Sequence, residues 1–295
     1  MISVYLLFGV MGLGYISRIT LEKLFKQDNL YRLIVNVLVK SLYYFIIPLA
    51  FFTVFLGRGV TDRDIYILSY VALLILLIYF TTLRGRLSER MHLFLVSVFP
   101  NSVFLGFPLC LAVLGRIYVA AFFGVLTVTL NVLLPELISR SRETIVKNLA
   151  RSTALIGCLT GIAAHYVLSY YNYVDTLYSY LWWSSPLLSY TATYVMGLRI
   201  PIKLEGVSRV KKELLVAGLY RFIVAPILAF LTAILIGFDR LDTYEFLLVS
   251  ATPPAVMNAI VAEKYGWRPE DTALITALLT IFFIAVMFPI ILLIS

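Results

Sequence analysis

Apolar runs of about 20 residues, the length a helix needs to cross a bilayer, recur along the whole of this 295-residue chain. The chain is 61% hydrophobic and only 14% charged, and no hydrophilic stretch is large enough to form a soluble domain. Within hydrocarbon every backbone N–H and C=O must find a partner inside the protein, so such segments fold as helices. The pattern predicts an all-α polytopic membrane protein with ten membrane segments, at roughly 1–18, 32–57, 64–83, 91–115, 117–138, 152–171, 177–199, 213–237, 244–266 and 270–294. Met1 to Tyr15 carry no Lys or Arg and read as a retained first helix rather than a cleaved signal.

Charge sets the orientation. Assigning the loops to alternate sides puts eighteen Lys and Arg on one face, including Arg140, Arg142, Lys147 and Arg151. The other face receives four: Arg58, Arg63, Arg116 and Arg240. The basic face is cytoplasmic by the positive-inside rule, which places both termini outside a cell membrane. The net charge of +8 is thereby explained by topology and not by nucleic acid. Five segments per half, residues 1–145 and 146–295, make the second half enter the membrane from the opposite side, as an inverted repeat. Two cysteines, Cys110 and Cys158, and two histidines, His92 and His165, suggest neither a disulfide framework nor a metal centre. No cofactor is implied. Trp182, Trp183 and Trp267, near segment ends, fit an interfacial aromatic belt.

The fourth segment is interrupted by Phe99-Pro100-Asn101-Ser102-Val103-Phe104-Leu105-Gly106-Phe107-Pro108. Pro100 lacks an N–H and its ring strikes the carbonyl four residues back, so the helix is expected to open there. The ninth segment repeats the signature: Leu95 to Val103 aligns with Leu248 to Val256, matching Pro100 to Pro253, and Pro254 follows. Interrupted helices at corresponding places in two halves mark a transporter's binding site. Each half-helix after its break starts with free N–H groups and the positive end of its dipole, which together form an anion site. Asn101, Ser102 and Asn258 are the side chains best placed to line it. Asn131 either joins them or ties helices together, and Thr252 either lines the site or bonds back to its own helix. Further kinks are expected at Pro48, Pro186 and Pro226, and Pro269-Glu270-Asp271 reads as a helix start.

Lys40 and Arg221 are the cations set well inside segments, where they either attract an anion or snorkel to the headgroups. Glu136 and Glu263 lie near cytoplasmic ends and are read as solvated or paired. All the acidic residues fall in loops or within a few residues of a segment end, so no intramembrane carboxylate is expected to carry a proton.

Asn101-Ser102-x-x-x-Gly106-x-Pro108 resembles the Asn-Thr/Ser-x-x-x-Gly-x-Pro signature of the auxin efflux carrier family. Ala262-Glu263-Lys264-Tyr265-Gly266 is similar to that family's ninth-helix motif, and Ile47-Pro48-Leu49 to its second-helix motif. The resemblance implies crossed, broken helices 4 and 9; the candidate substrate residues are Pro100, Asn101, Ser102, Gly106, Asn131, Thr252, Pro253, Pro254 and Asn258. It further implies a homodimeric carrier of small organic anions, working by an elevator movement of helices 3–5 and 8–10 against a scaffold of helices 1, 2, 6 and 7. Asn258 stands where plant members tend to carry a proline, and the loop near 139–151 is too short to be their long regulatory loop. A sodium-coupled organic-anion symporter of the bile-acid type shares the architecture, and a carrier fold can also serve as a sensor. No His-Glu-x-x-His, Gly-x-Ser-x-Gly or membrane aspartate pair points to an intramembrane enzyme.

Overall fold

The computed structural model describes residues 2–24, 28–83, 87–138, 152–200 and 206–294. The basic positions Lys26, Arg84, Arg86, Arg140, Arg142, Lys147, Arg151 and Lys203, and the expected repeat boundary at 145/146, lie outside these residues. The described residues are helical almost throughout. In chain order the helices are α1 (Ile2–Leu24), α2 (Asp28–Ser41), α3 (Ile47–Arg58), α4 (Asp62–Ile78), α5 (Leu87–Val98) and α6 (Phe107–Leu114). Next come α7 (Tyr118–Ile138), α8 (Thr153–Tyr170), α9 (Val174–Leu181), α10 (Ser184–Arg199) and α11 (Lys211–Leu219). The last are α12 (Ala225–Ile236), α13 (Arg240–Ser250), α14 (Met257–Tyr265), α15 (Pro269–Phe282) and α16 (Phe288–Ile294).

Among the described residues, seven helical stretches are long and apolar enough to cross a membrane. The expected fourth, seventh and ninth segments are instead each built of two shorter helices: α5 with α6, α9 with α10, and α13 with α14.

The prolines meet different fates. Leu42–Ile46, Ser102–Gly106, Tyr220–Val224 and Phe283–Met287 are single wide turns, each ending just ahead of Pro48, Pro108, Pro226 or Pro289. Widening a turn by one residue relieves both the missing N–H and the ring clash, so the helix continues. At Pro48 and Pro226, where kinks are expected, the chain carries such a wide turn and stays helical on both sides of it. Pro186 sits in the first turn of α10, after the turn at Trp182 and Trp183, where its missing N–H costs nothing. Pro269 opens α15 with Glu270 and Asp271 in the first turn. True breaks remain at residues 99–101 and 251–256.

By packing, the chain divides into two compact units, each assembled from separated stretches of sequence. Unit 1 takes residues 1–61, 103–121 and 141–202; unit 2 takes 62–102, 122–140 and 203–295. Each draws helices from both halves of the chain.

Unit 1 is held by close backbone approach. α3 packs on α8 where a Cβ at Gly157 would lie 2.2 Å from the Pro48 carbonyl oxygen. α1 packs on α10 where a Cβ at Gly197 would lie 2.0 Å from that of Met11. Helices in lipid gain little from apolar burial against one another, so this contact supplies the packing energy. Thr153 Oγ1 donates to Tyr43 O at 2.5 Å and Ser184 Oγ to Thr53 Oγ1 at 2.9 Å. His165 Nδ1 meets Leu56 O at 2.7 Å.

Unit 2 is joined by side chains. Buried Tyr70 of α4 packs edge-on against Phe246 of α13, ring centroids 4.8 Å apart, and its hydroxyl donates to Ala225 O at 3.1 Å. Leu93, Val96, Ala217, Ile275 and Leu279 form an apolar cluster joining α5, α11 and α15. Arg63 pairs with Asp242, and Lys264 with buried Glu136. Arg268 reaches Asp271 at 2.5 Å, Glu213 at 3.3 Å and the Nε2 of buried His92 at 3.1 Å.

Two glycine substitutions test the account of unit 1. Gly157→Ala forces a methyl into the Pro48 backbone and should cost about 1–3 kcal/mol. Gly9→Ala meets nothing within 4 Å and should leave stability unchanged or raised by about 0.5–1 kcal/mol. Thermal unfolding of the purified variants separates the two; equal effects would refute the close-packing explanation.

Candidate substrate site

The two breaks meet within unit 2. Pro100 and Pro254 face each other as one antiparallel bridge. Asn101 N–H donates to Pro253 O at 2.7 Å and Ala255 N–H to Phe99 O at 2.9 Å. At this position of an antiparallel pair the facing residues use no N–H of their own, and the flanking residues make both bonds. Proline, which has none to offer, fits that place on both sides. The pairing is symmetric about Pro100 and Pro254, one residue away from the Pro100–Pro253 match that local sequence suggests. In this register Pro135 and Pro289 lie equally far beyond the two centres.

Two amides expected to stand open at the breaks, those of Asn101 and Ala255, are therefore spent on holding the strands together. Asn258, fully buried at the start of α14, adds a clasp: its Nδ2 donates to Leu95 O and Phe99 O, both at 3.1 Å. Its Oδ1 accepts from Asn131 Nδ2 at 3.0 Å. Asn131 Oδ1 is buried with no hydrogen-bond partner. Such an acceptor costs free energy unless water or a ligand reaches it. Ser97 Oγ and Thr129 Oγ1 are in the same condition.

The other residues named from sequence take definite places. Asn101 is buried and is not without partners. Ser102 Oγ lies 2.8 Å from Thr127 Oγ1, a residue of α7 that no motif flags. Thr252 Oγ1 turns back to Val249 O at 2.8 Å, the second of its two anticipated roles. Gly106 is buried at the end of the wide turn that leads into α6, and belongs to unit 1. Lys40, also in unit 1, is exposed in the last turn of α2. Arg221 is fully buried, and its guanidinium faces the carbonyls of Val98, Ser250 and Thr252.

Two features escaped sequence reading. Glu245, in the second turn of α13, is completely buried and engaged, although it is only five residues from the helix start. Unit 1 holds a cavity of about 390 Å³, lined among others by Leu7, Pro108, Arg116, Tyr178, Trp182 and Ser189. The Arg116 guanidinium stands 5.0 Å from the Tyr118 ring centroid beside it. Trp182, read from sequence as belt alone, is part of this lining.

Seven apolar spans, with interrupted segments joined at their breaks, define a multi-pass helical membrane protein. The chain belongs to the auxin efflux carrier, PIN-like family: the family model described as Membrane transport protein matches residues 1–192. It is thus a membrane transport protein, of a family of transporters and not of enzymes. No curated protein matches the chain. The match ends within α10, so the second break, at Pro253 and Pro254, lies beyond it.

Asn258→Ala would strip a donor from two carbonyls and leave the Asn131 amide unpaired. It should cost about 1–3 kcal/mol, seen as a lowered melting temperature of purified protein. An unchanged melting temperature would remove the clasp from the account.

Proposed function

We propose that this chain is a secondary carrier of small organic anions, with substrate held where the two interrupted segments join. The observation that carries the reading is the symmetric pairing of Pro100 with Pro254, lined by asparagine, serine and threonine rather than by carboxylates. Symmetry about that pair supports an inverted repeat with crossing helices. Asn101, Ser102, Asn131 and Asn258 are the proposed polar ligands, and the unpartnered Asn131 Oδ1 fits a site completed by a ligand or water. The unit 1 cavity of about 390 Å³ is lined by none of these four residues and is not part of the proposed site. Unit 1 is the proposed scaffold of a homodimer and unit 2 the moving body of an elevator. α6 is the departure, since it packs with unit 1 while α5, the other half of its segment, packs with unit 2.

Efflux-type movement down the membrane potential follows from the uncharged amide lining. For a monovalent anion, 100 mV contributes about 2.3 kcal/mol. Reconstituted protein should carry radiolabelled carboxylates into liposomes at clamped voltage. Asn101→Ala should weaken substrate affinity roughly 5- to 150-fold, the equivalent of one or two lost hydrogen bonds. Ligand binding with no flux would favour a sensor and overturn the carrier reading.

Orientation has its own test. With both native cysteines buried, single cysteines at Asn172 and Glu263 give clean reporters. An impermeant maleimide on intact cells should label Asn172→Cys and spare Glu263→Cys. The reverse pattern, or labelling of both, would invert or remove the proposed topology with termini outside.

A further inference from the structure

Opening two helices leaves their last carbonyls without helical donors, and each helix C-terminus carries roughly half a negative charge. Val98 ends α5; Ser250 and Thr252 end α13 and its following turn. Arg221, in the wide turn between α11 and α12, meets all three. Its Nε and Nη2 donate to Thr252 O at 3.1 and 2.9 Å, Nη2 also to Ser250 O, and Nη1 to Val98 O at 3.4 Å. The side chain is fully buried, and these hydrogen bonds all go to backbone carbonyls. A lone buried guanidinium is costly unless something neutralises it. Here two converging helix ends do so. Four of the roughly five N–H groups a guanidinium carries are committed to backbone, which leaves no fork free to grip a substrate carboxylate.

We infer that these three carbonyls form a cation cage, and that Arg221 is its resident cation. Oxygen dipoles converging on one positive charge are the ligand set that alkali ions take from backbone in membrane proteins. With Arg221 in place the cage is filled and the helix ends are permanently neutralised. Without it the cage is open to a small monovalent cation. Arg221 is then a positioning residue: it holds the two breaks in register and does not touch the transported anion. The inference rests on the break being a carrier's working site.

The test compares wild type, Arg221→Ala and Arg221→Lys as purified full-length proteins, with choline replacing sodium at constant ionic strength. Melting temperature and binding of radiolabelled sodium are the readouts. Wild type should bind no sodium saturably and melt alike in choline, sodium and potassium. Arg221→Ala in choline should melt roughly 5–15 °C lower, the loss of a buried charge partner. At ten times its own Kd, sodium, potassium or methylguanidinium should restore about 3–6 °C. Arg221→Lys, whose ammonium still enters the cage, should lie between and ignore sodium. Saturable sodium binding by wild type overturns the inference, as does a folded Arg221→Ala that answers to no cation. Should Arg221→Ala not fold, Arg221→Gln takes its place under the same criteria. Failure of both to fold in every cation counts against the cage, since an empty cage accepts one. The readouts are binding and melting, so a failure here leaves the carrier reading standing, and an absence of flux leaves this test valid.

Discussion

Inside a bilayer the backbone has no water to fall back on, and the design of unit 2 follows from that constraint. Two opened helices present unpaired donors on one side of each break and unpaired acceptors on the other. The donors of Asn101 and Ala255 are answered by the opposite break, each strand supplying the carbonyl the other needs. The acceptors at Val98, Ser250 and Thr252 meet Arg221, and those at Leu95 and Phe99 meet Asn258. Each break supplies backbone partners that the other lacks, in a buried setting where an orphaned group costs several kcal/mol.

The difference between a proline that breaks a helix and one that does not lies in what stands opposite it. Pro48, Pro226 and Pro289 follow wide turns that take up the extra residue, and their helices run on. Pro100 and Pro254 stand face to face at the position of an antiparallel pair where an N–H has no use. A transporter that needs irregular backbone in the membrane thus places it where the irregularity is paired and buried.

Charge is distributed on the same principle. Reading acidic residues as near segment ends is accurate in sequence, yet Asp242, Glu245 and Glu136 are buried because those ends lie inside protein. Glu136 is paired with Lys264 and Asp242 with Arg63, while Glu263 is exposed. Arg221 inverts the usual expectation for a membrane cation. Distance along the helix suggests snorkelling or substrate attraction, whereas the guanidinium is turned inward to carbonyls. That choice depends on α5 and α13 ending beside it, which distance along one helix does not report.

Much of this protein is legible in its residues because hydrophobicity and proline act locally. Twenty-residue apolar runs, the loci of the interruptions and the start of α15 at Pro269 each follow from a few neighbouring side chains. The transporter family's model matches residues 1–192, a stretch that includes the Asn101–Pro108 motif. Tertiary structure alone decided the register of the breaks, Pro100 to Pro254 and not to Pro253, because a strand pair is set by hydrogen bonds between segments far apart in sequence. It also decided that α5 and α6 pack in different units, that Asn258 clasps carbonyls of α5 and its break, and that Thr127 answers Ser102. Those contacts join residues tens to more than a hundred positions apart, and no local pattern records which of several chemically equal partners the packing brings within reach.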